Sequence, residues 1–353
     1  MSSTDTPDRA GHQSRTTVLA YIIRRTLAAL VLLLVVSAVT FGIFFLLPRL
    51  AGETTDQLAA QYIGKNPTPD AIIAVKRNLG FDQPLYIQYG RFLKTLVAGA
   101  NYKFGPDPVT CHVPCFGYSF KNHLEVWPEI RSRIPVTFSL AIGAAVLWLL
   151  SGVATGVISA LRPKSFFDRG AMGVALAGVS LPIFFTGALL LELFSYQWPI
   201  LNNVQYVNFT DDPLMWARNL ILPWISLAFL YSALYARLTR AGMMETMSED
   251  YIRTARAKGM TERAVVVKHG LRSALTPILT IFGMDLGLLL GGAVITEQVF
   301  SFQGIGFFAV SAISDNDLPK ILGVTLVAAF FIVICNLLVD LLYAAVDPRV
   351  RLS

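Results

Sequence analysis

Few residues in this chain are placed to do covalent chemistry. The histidines are His12, His112, His123 and His269, and none falls inside a long apolar run. Ser180, in Gly178-Val179-Ser180, therefore has no base beside it and reads as a helix-packing residue. No G-x-x-x-x-G-K followed by Ser or Thr occurs, so the chain carries no P-loop, and no cofactor is expected on it. Metalloprotease and haem-attachment patterns are missing too, and neither a catalytic residue nor a metal site is assigned. Two sets of residues remain. Cys111 and Cys115 stand four positions apart in a segment rich in Pro and Gly, with His112 between them and His123 nearby. They read as a disulfide if the segment lies outside the cytosol, with free thiols or a metal site as alternatives. The second set is three carboxylates inside apolar runs, Glu192, Asp285 and Asp340. Charge there is costly, so such a residue marks a polar pathway or a buried bond between helices. Asp285 is the most central and is the pathway candidate; the other two lie near the ends of their runs.

The elements that must hold these residues follow from composition. Of 353 residues, 54% are hydrophobic and only 15% charged, against about 25% charged in a soluble domain. Disordered, fibrous and disulfide-rich secreted classes are excluded together. The excess of 29 Lys and Arg over 23 Asp and Glu reads as the basic asymmetry of membrane loops, and no nucleic-acid partner is expected. Spanning the hydrocarbon core takes about 20 apolar residues in a helix, because no backbone polar group can go unpaired there. Six stretches qualify: Thr26 to Leu47, Ile134 to Leu161, Ala171 to Gln197, Leu220 to Ala236, Ala274 to Thr296 and Ile321 to Val346, the fourth being the shortest. Cys335, in the sixth, reads as a small core residue.

The short loops give the orientation. With the N-terminus inside, the cytoplasmic segments hold seventeen basic residues, eight of them between Arg237 and Arg272, whereas the short outer loops hold only Arg218 and Lys320. Both termini are therefore expected on the cytoplasmic side of a cell membrane. The first span is too long for a signal-peptide core and lacks a small-residue cleavage site, so it reads as an uncleaved anchor. Residues 1–17 are polar and read as a disordered tail.

Two loops carry information. The outer one, 48–133, contains helix punctuation: Thr68-Pro69-Asp70 as a start, Gly80 as a stop, and a second helix from Pro84 to near Gly99. It reads as an ordered cap. The cytoplasmic one, 237–273, places Met244, Met247, Tyr251 and Ala255 at helical spacing, so one helix with an apolar stripe is expected up to Gly259. Gly259 fits a left-handed helix end, and Thr261-Glu262 fits the start of a second helix running through His269 towards Pro277. A helix, a glycine corner and a second helix make either an amphipathic surface element or a rigid peg for a soluble partner.

That loop resembles the E-A-A-x-x-x-G segment in permease subunits of binding-protein-dependent ABC importers. The aligned residues here are Arg253, Thr254, Ala255 and Gly259, with Arg in place of Glu and Thr in place of the first Ala. This variant, Thr-Ala-Arg-Ala-Lys-Gly, is similar to that of the dipeptide, oligopeptide and nickel branch. The likeness continues in Leu79-Gly80-Phe81-Asp82-Gln83-Pro84-Leu85, Tyr89, Arg91-Phe92, Gly117-Tyr118-Ser119 and Arg133-Ile134-Pro135-Val136-Thr137. It ends with Glu297, Phe300, Gly304-Ile305-Gly306, Asn336 to Asp340, Tyr343 and Asp347-Pro348-Arg349. The chain departs from the branch at Gln303, where a proline is usual, and in an insertion from Asn101 to Phe116 that carries the cysteine pair.

The resemblance implies an all-α, six-span type I importer transmembrane domain over 18–353. It implies that Tyr251, Arg253, Thr254, Ala255, Arg256, Ala257, Lys258 and Gly259 couple to an ATPase, with Ala255 and Gly259 small for close approach. It also implies two ATPase subunits holding ATP and Mg2+, a second homologous permease and an extracytoplasmic substrate-binding lipoprotein. Peptides are the expected cargo. A nickel or other small-solute permease, or an ATP-independent channel or scaffold, are the alternatives.

Overall fold

The structure is a computed structural model that describes residues 8–63, 67–102, 109–201 and 204–346, with side chains from 22 to 341 in those ranges. Among them, five helices are long and apolar enough to cross a membrane: Ile22–Leu50, Val126–Leu161, Pro213–Ser248, Glu262–Leu290 and Leu318–Leu341. Phe166–Ser180 and Ile183–Gln197 together satisfy the same test but are bent by 101° at their junction. The third expected stretch, Ala171 to Gln197, is therefore two helices and not one continuous helix. Pro182 has no N–H to donate and drives Leu181 out of the helical region, to φ −88° and ψ 128°, which ends the first half.

Other boundaries also move. The first helix begins at Asp8, so 8–17, expected to be disordered, continue the span as helix; propagation from a formed helix costs far less than nucleation. Residues 1–7 of that tail, and Asp347-Pro348-Arg349, lie outside the described residues, as does the Tyr343 side chain. The fourth span, expected to be the shortest, belongs to a 36-residue helix, Pro213–Ser248. The fifth stops at Leu290, and Thr296 falls in a separate short helix, Val294–Val299.

Small residues hold the bundle together. Val126–Leu161 and Pro213–Ser248 meet where Gly152 and Gly156 face Tyr235 and Thr239; a Cβ at Gly152 would sit 2.7 Å from Tyr235 Cβ. Backbones approach that closely only where side chains are absent, and in a membrane packing of this kind replaces hydrophobic drive. Trp148, fully buried, stacks on Tyr231 with ring centroids 4.6 Å apart. Ser180 does not pack between helices: it is exposed and donates to the Leu176 carbonyl. Gly178 makes the close contact, against Phe229 and Ala233. Cys335 is buried in the main core.

Between the fifth and sixth spans the chain folds back into the bundle. The helix Ile305–Ser314 buries Ile305 and Phe308 against Val126, Ile130, Val324 and Val327. Its first turn is held by a fully buried carboxylate, Glu297. Glu297 Oε2 accepts from the Phe307 N–H at 2.7 Å, and Oε1 accepts from the Thr137 hydroxyl at 2.7 Å. Thr137 in turn accepts from the Ile305 N–H at 2.8 Å. Anions are favoured at helix N-termini, where N–H groups lack intrahelical partners.

The described residues of the loop 48–133 form an ordered cap. Thr68 accepts from the Ala71 N–H at 3.3 Å and Gly80 ends that helix at φ 69°; the next helix is Leu85–Ala98, between Pro84 and Gly99. Two short antiparallel hairpins qualify the all-α expectation: Ala100–Tyr102 with Val109–Cys111, and Tyr118–Ser119 with Leu124–Glu125. Cys111 and Cys115 are bonded, with Cα atoms 5.5 Å apart, while His112 Nδ1 faces Glu125 Oε1 at 3.0 Å. Burial pushes the adjacent Tyr102 phenol up to about 12. Phe81 and Leu58 of the cap pack on Phe41, Phe45 and Leu322, and Arg49 donates to the Phe81 carbonyl and to Gln88. The cap is thus seated on the first and last spans.

Candidate functional site

The helix Pro213–Ser248 stops at Glu249, whose extended backbone (ψ 149°) precedes a separate helix, Asp250–Ala257. The expected single apolar stripe is corrected accordingly, because the break rotates the register. Met244 and Tyr251 are exposed, and the buried face of the short helix is formed by Ile252 and Ala255, packed on Val265 with Met247 and Met260.

Ala255 is therefore small for packing inside this chain and does not reach its outer face. Gly259 follows with φ 77°, and a Cβ there would meet nothing within 4 Å. Its requirement is conformational: an L side chain in the left-handed region is strained. Lys258 and Gly259 donate to the carbonyls of Thr254 and Arg256, and Met260 donates to Ala255, which closes the helix end.

The second helix starts at Glu262 after Thr261, whose side chain makes no capping bond. It passes through a π-helical stretch, Val265–Leu271, directly into the span Arg272–Leu290. Arg256 Nη2 meets Glu262 Oε1 at 2.7 Å across the corner. Thr254 donates back to the Asp250 carbonyl, and Arg253 meets Asp250 at 3.3 Å. Tyr251, Arg253, Thr254, Arg256, Ala257, Lys258 and Gly259 are all exposed. The arrangement is a cationic peg, pinned on its inner face to the helix that continues as a membrane span. Motion applied to the peg would be carried into that span.

Asp285 sits in the same span, partly exposed, and accepts from the buried Tyr235 hydroxyl at 2.9 Å. Ser273, Pro277, Thr280, Met284 and Leu288 are exposed at three- and four-residue spacing beside it, an open face continuous with Asp285. Glu192 is exposed and accepts from Gln197 at 2.9 Å; Asp340 pairs with Arg25 at 3.0 Å. A cleft lined by Phe138, Tyr206, Phe209, Trp216 and Trp224 opens where the helices Val126–Leu161 and Pro213–Ser248 meet the cap side. Sequence reasoning missed that aromatic wall, along with Tyr235 and the Glu297–Thr137 clamp, whose partners are distant in the chain.

A bundle of long apolar helices that presents a braced, charged peg and an ordered cap has the build of a membrane transport subunit. The chain belongs to the family described as binding-protein-dependent transport system inner membrane component, which it matches over residues 152–352, with the family's N-terminal component matched over 18–141.

Among its relatives is a Brucella abortus (strain 2308) protein named as a peptide transport system permease, 39% identical over 94% of this chain and 99% of that protein. The dipeptide transport system permease DppB of Alkalihalophilus pseudofirmus is 34% identical over 95% of this chain and 100% of its own length. DppB of Escherichia coli (strain K12) is 33% identical over 95% and 99%.

Proposed function

We propose that this chain forms half of the translocation pathway of a peptide importer, crossing the membrane six times with both termini in the cytoplasm. Its partners are a second homologous permease, two ATPase subunits that hold ATP and Mg2+, and an extracytoplasmic substrate-binding lipoprotein. The observation that carries this reading is the peg, whose outward face Tyr251–Gly259 is exposed while Ile252 and Ala255 lock it to the helix leading into the span of Asp285. ATP-driven closure of the ATPases moves the peg, the rigid helix carries the motion inward, and the open face beside Asp285 alternates between the two sides. The names of the relatives favour peptides over nickel or another small solute.

Purification of the tagged chain from its native membrane, followed by uptake in proteoliposomes, tests the reading. Two P-loop ATPases, a second permease and ATP-dependent dipeptide accumulation are expected. Recovery of the chain alone, or uptake indifferent to ATP, would instead favour a channel or scaffold. The disulfide is part of the same proposal, since it requires the cap to face an oxidising compartment.

A further inference from the structure

The cap helix Leu85–Ala98 has two unlike faces. Gln88 is buried, and Leu85, Tyr89 and Phe92 pack on Phe41 and its neighbours. The opposite face, Tyr86, Gly90, Lys94 and Val97 at helical spacing with Ile87 beside it, is exposed. Tyr86 is 76% and Val97 74% accessible, and a Cβ at Gly90 would meet nothing. Apolar side chains grouped on one exposed helix face mark a surface that meets a membrane or a partner.

Their depth identifies it. The first span has Arg24 and Arg25 at one end, and a hydrocarbon core about 30 Å thick takes about 20 residues at 1.5 Å each, which reaches from Arg25 to about Phe45. The cap helix touches the span within that interval: the Tyr89 hydroxyl lies 2.8 Å from Ser37 Oγ and donates to the Leu34 carbonyl at 3.1 Å. The Phe92 and Phe41 ring centroids are 5.8 Å apart. On the same span Leu34, Val35, Val39, Ile43 and Leu47 are exposed, so the apolar surface of the span and that of the cap helix share one depth.

We infer that Leu85–Ala98 is a lipid-immersed helix, seated in the leaflet opposite Arg25, with Tyr86, Ile87 and Val97 among acyl chains and Lys94 reaching towards a lipid phosphate. Long basic side chains reach up to the headgroups in this way from within the acyl region, and the apolar face of an amphipathic helix is held there by its burial among acyl chains. The cap is then a wedge anchored in lipid, which fixes its height above the pathway.

This rests on reading Ile22–Leu50 as a span, and the test separates the two. The whole transporter, in nanodiscs of phosphatidylglycerol and phosphatidylethanolamine, is spin-labelled singly at Tyr86→Cys or Val97→Cys, in a Cys335→Ala background. Val31→Cys provides the reference inside the span and Arg77→Cys the reference in water. The ratio of oxygen to water-soluble nickel accessibility is expected to be comparable at 86, 97 and 31 and several-fold lower at 77. If 31 is oxygen-rich while 86 and 97 match 77, the lipid contact is overturned and the span stands. If 86 and 97 are closed to both reagents, a protein partner covers the face and the lipid contact is likewise overturned. A nickel-rich label at 31 would remove the span and the inference together.

Discussion

Glu297 illustrates how much one buried carboxylate organises. It joins Thr137, 160 positions earlier, to the first turn of the helix Ile305–Ser314. Thr137→Val keeps the shape but removes a donor, and leaving a buried acceptor unsatisfied costs about 1–3 kcal/mol. The purified complex is expected to melt at a lower temperature with Thr137→Val and close to wild type with Thr137→Ser; equal melting of both variants would refute the clamp. At Asp285 a different split is expected. Asp285→Asn keeps an acceptor for Tyr235, so it should preserve thermal stability while lowering peptide uptake, and unchanged uptake would reduce Asp285 to a bond between helices. The sequence shows a carboxylate stranded in an apolar run, which is why Asp285 is legible. It shows neither Tyr235 as the donor nor Thr137 as the partner of Glu297, because a hydrogen bond across helices leaves no local pattern.

At the scale of elements, the peg divides the roles of its two small residues. Ala255 is held against Val265, so Ala255→Trp should disorder the loop itself, and capture of ATPase subunits by the purified permease should fall. Gly259 meets no steric limit but adopts φ 77°, where a branched L-residue costs roughly 1–2 kcal/mol. Gly259→Val is therefore expected to weaken ATPase capture and Gly259→Asn, which tolerates the left-handed region, to retain most of it. Equal retention by both would show that the corner is not set by its backbone. Local punctuation was readable in the sequence: Thr68, Gly80, Pro84, Gly99 and Gly259 stand where helices begin or end. Pro182 carried the same signal for the 101° bend, but the hydrophobic run across it reads as one continuous span. The break at Glu249 had no such marker.

For the molecule as a whole, the two informative loops should lie on opposite sides of the membrane. An impermeant maleimide added to intact cells should label Cys111 and Cys115 only after reduction. A cysteine placed at Lys258, which is exposed on the peg, should react only in inverted vesicles. Labelling of Lys258→Cys from outside would reverse the topology, and labelling of the pair without reduction would remove the disulfide. The span inventory was legible because charge exclusion is strong over 20 residues. The folded-back segment 291–317 was not, since its apolar helix is too short to distinguish from a loop by composition.

The ion pair between Arg25 and Asp340 joins the first helix to the last. During synthesis Arg25 is made early, whereas Asp340 arrives only after every other span has been made. Until then the first helix is a guest of the lipid and the insertion machinery, without its final neighbour. A chain cut short before the sixth span would lack Asp340, and with it this tie between the first helix and the last.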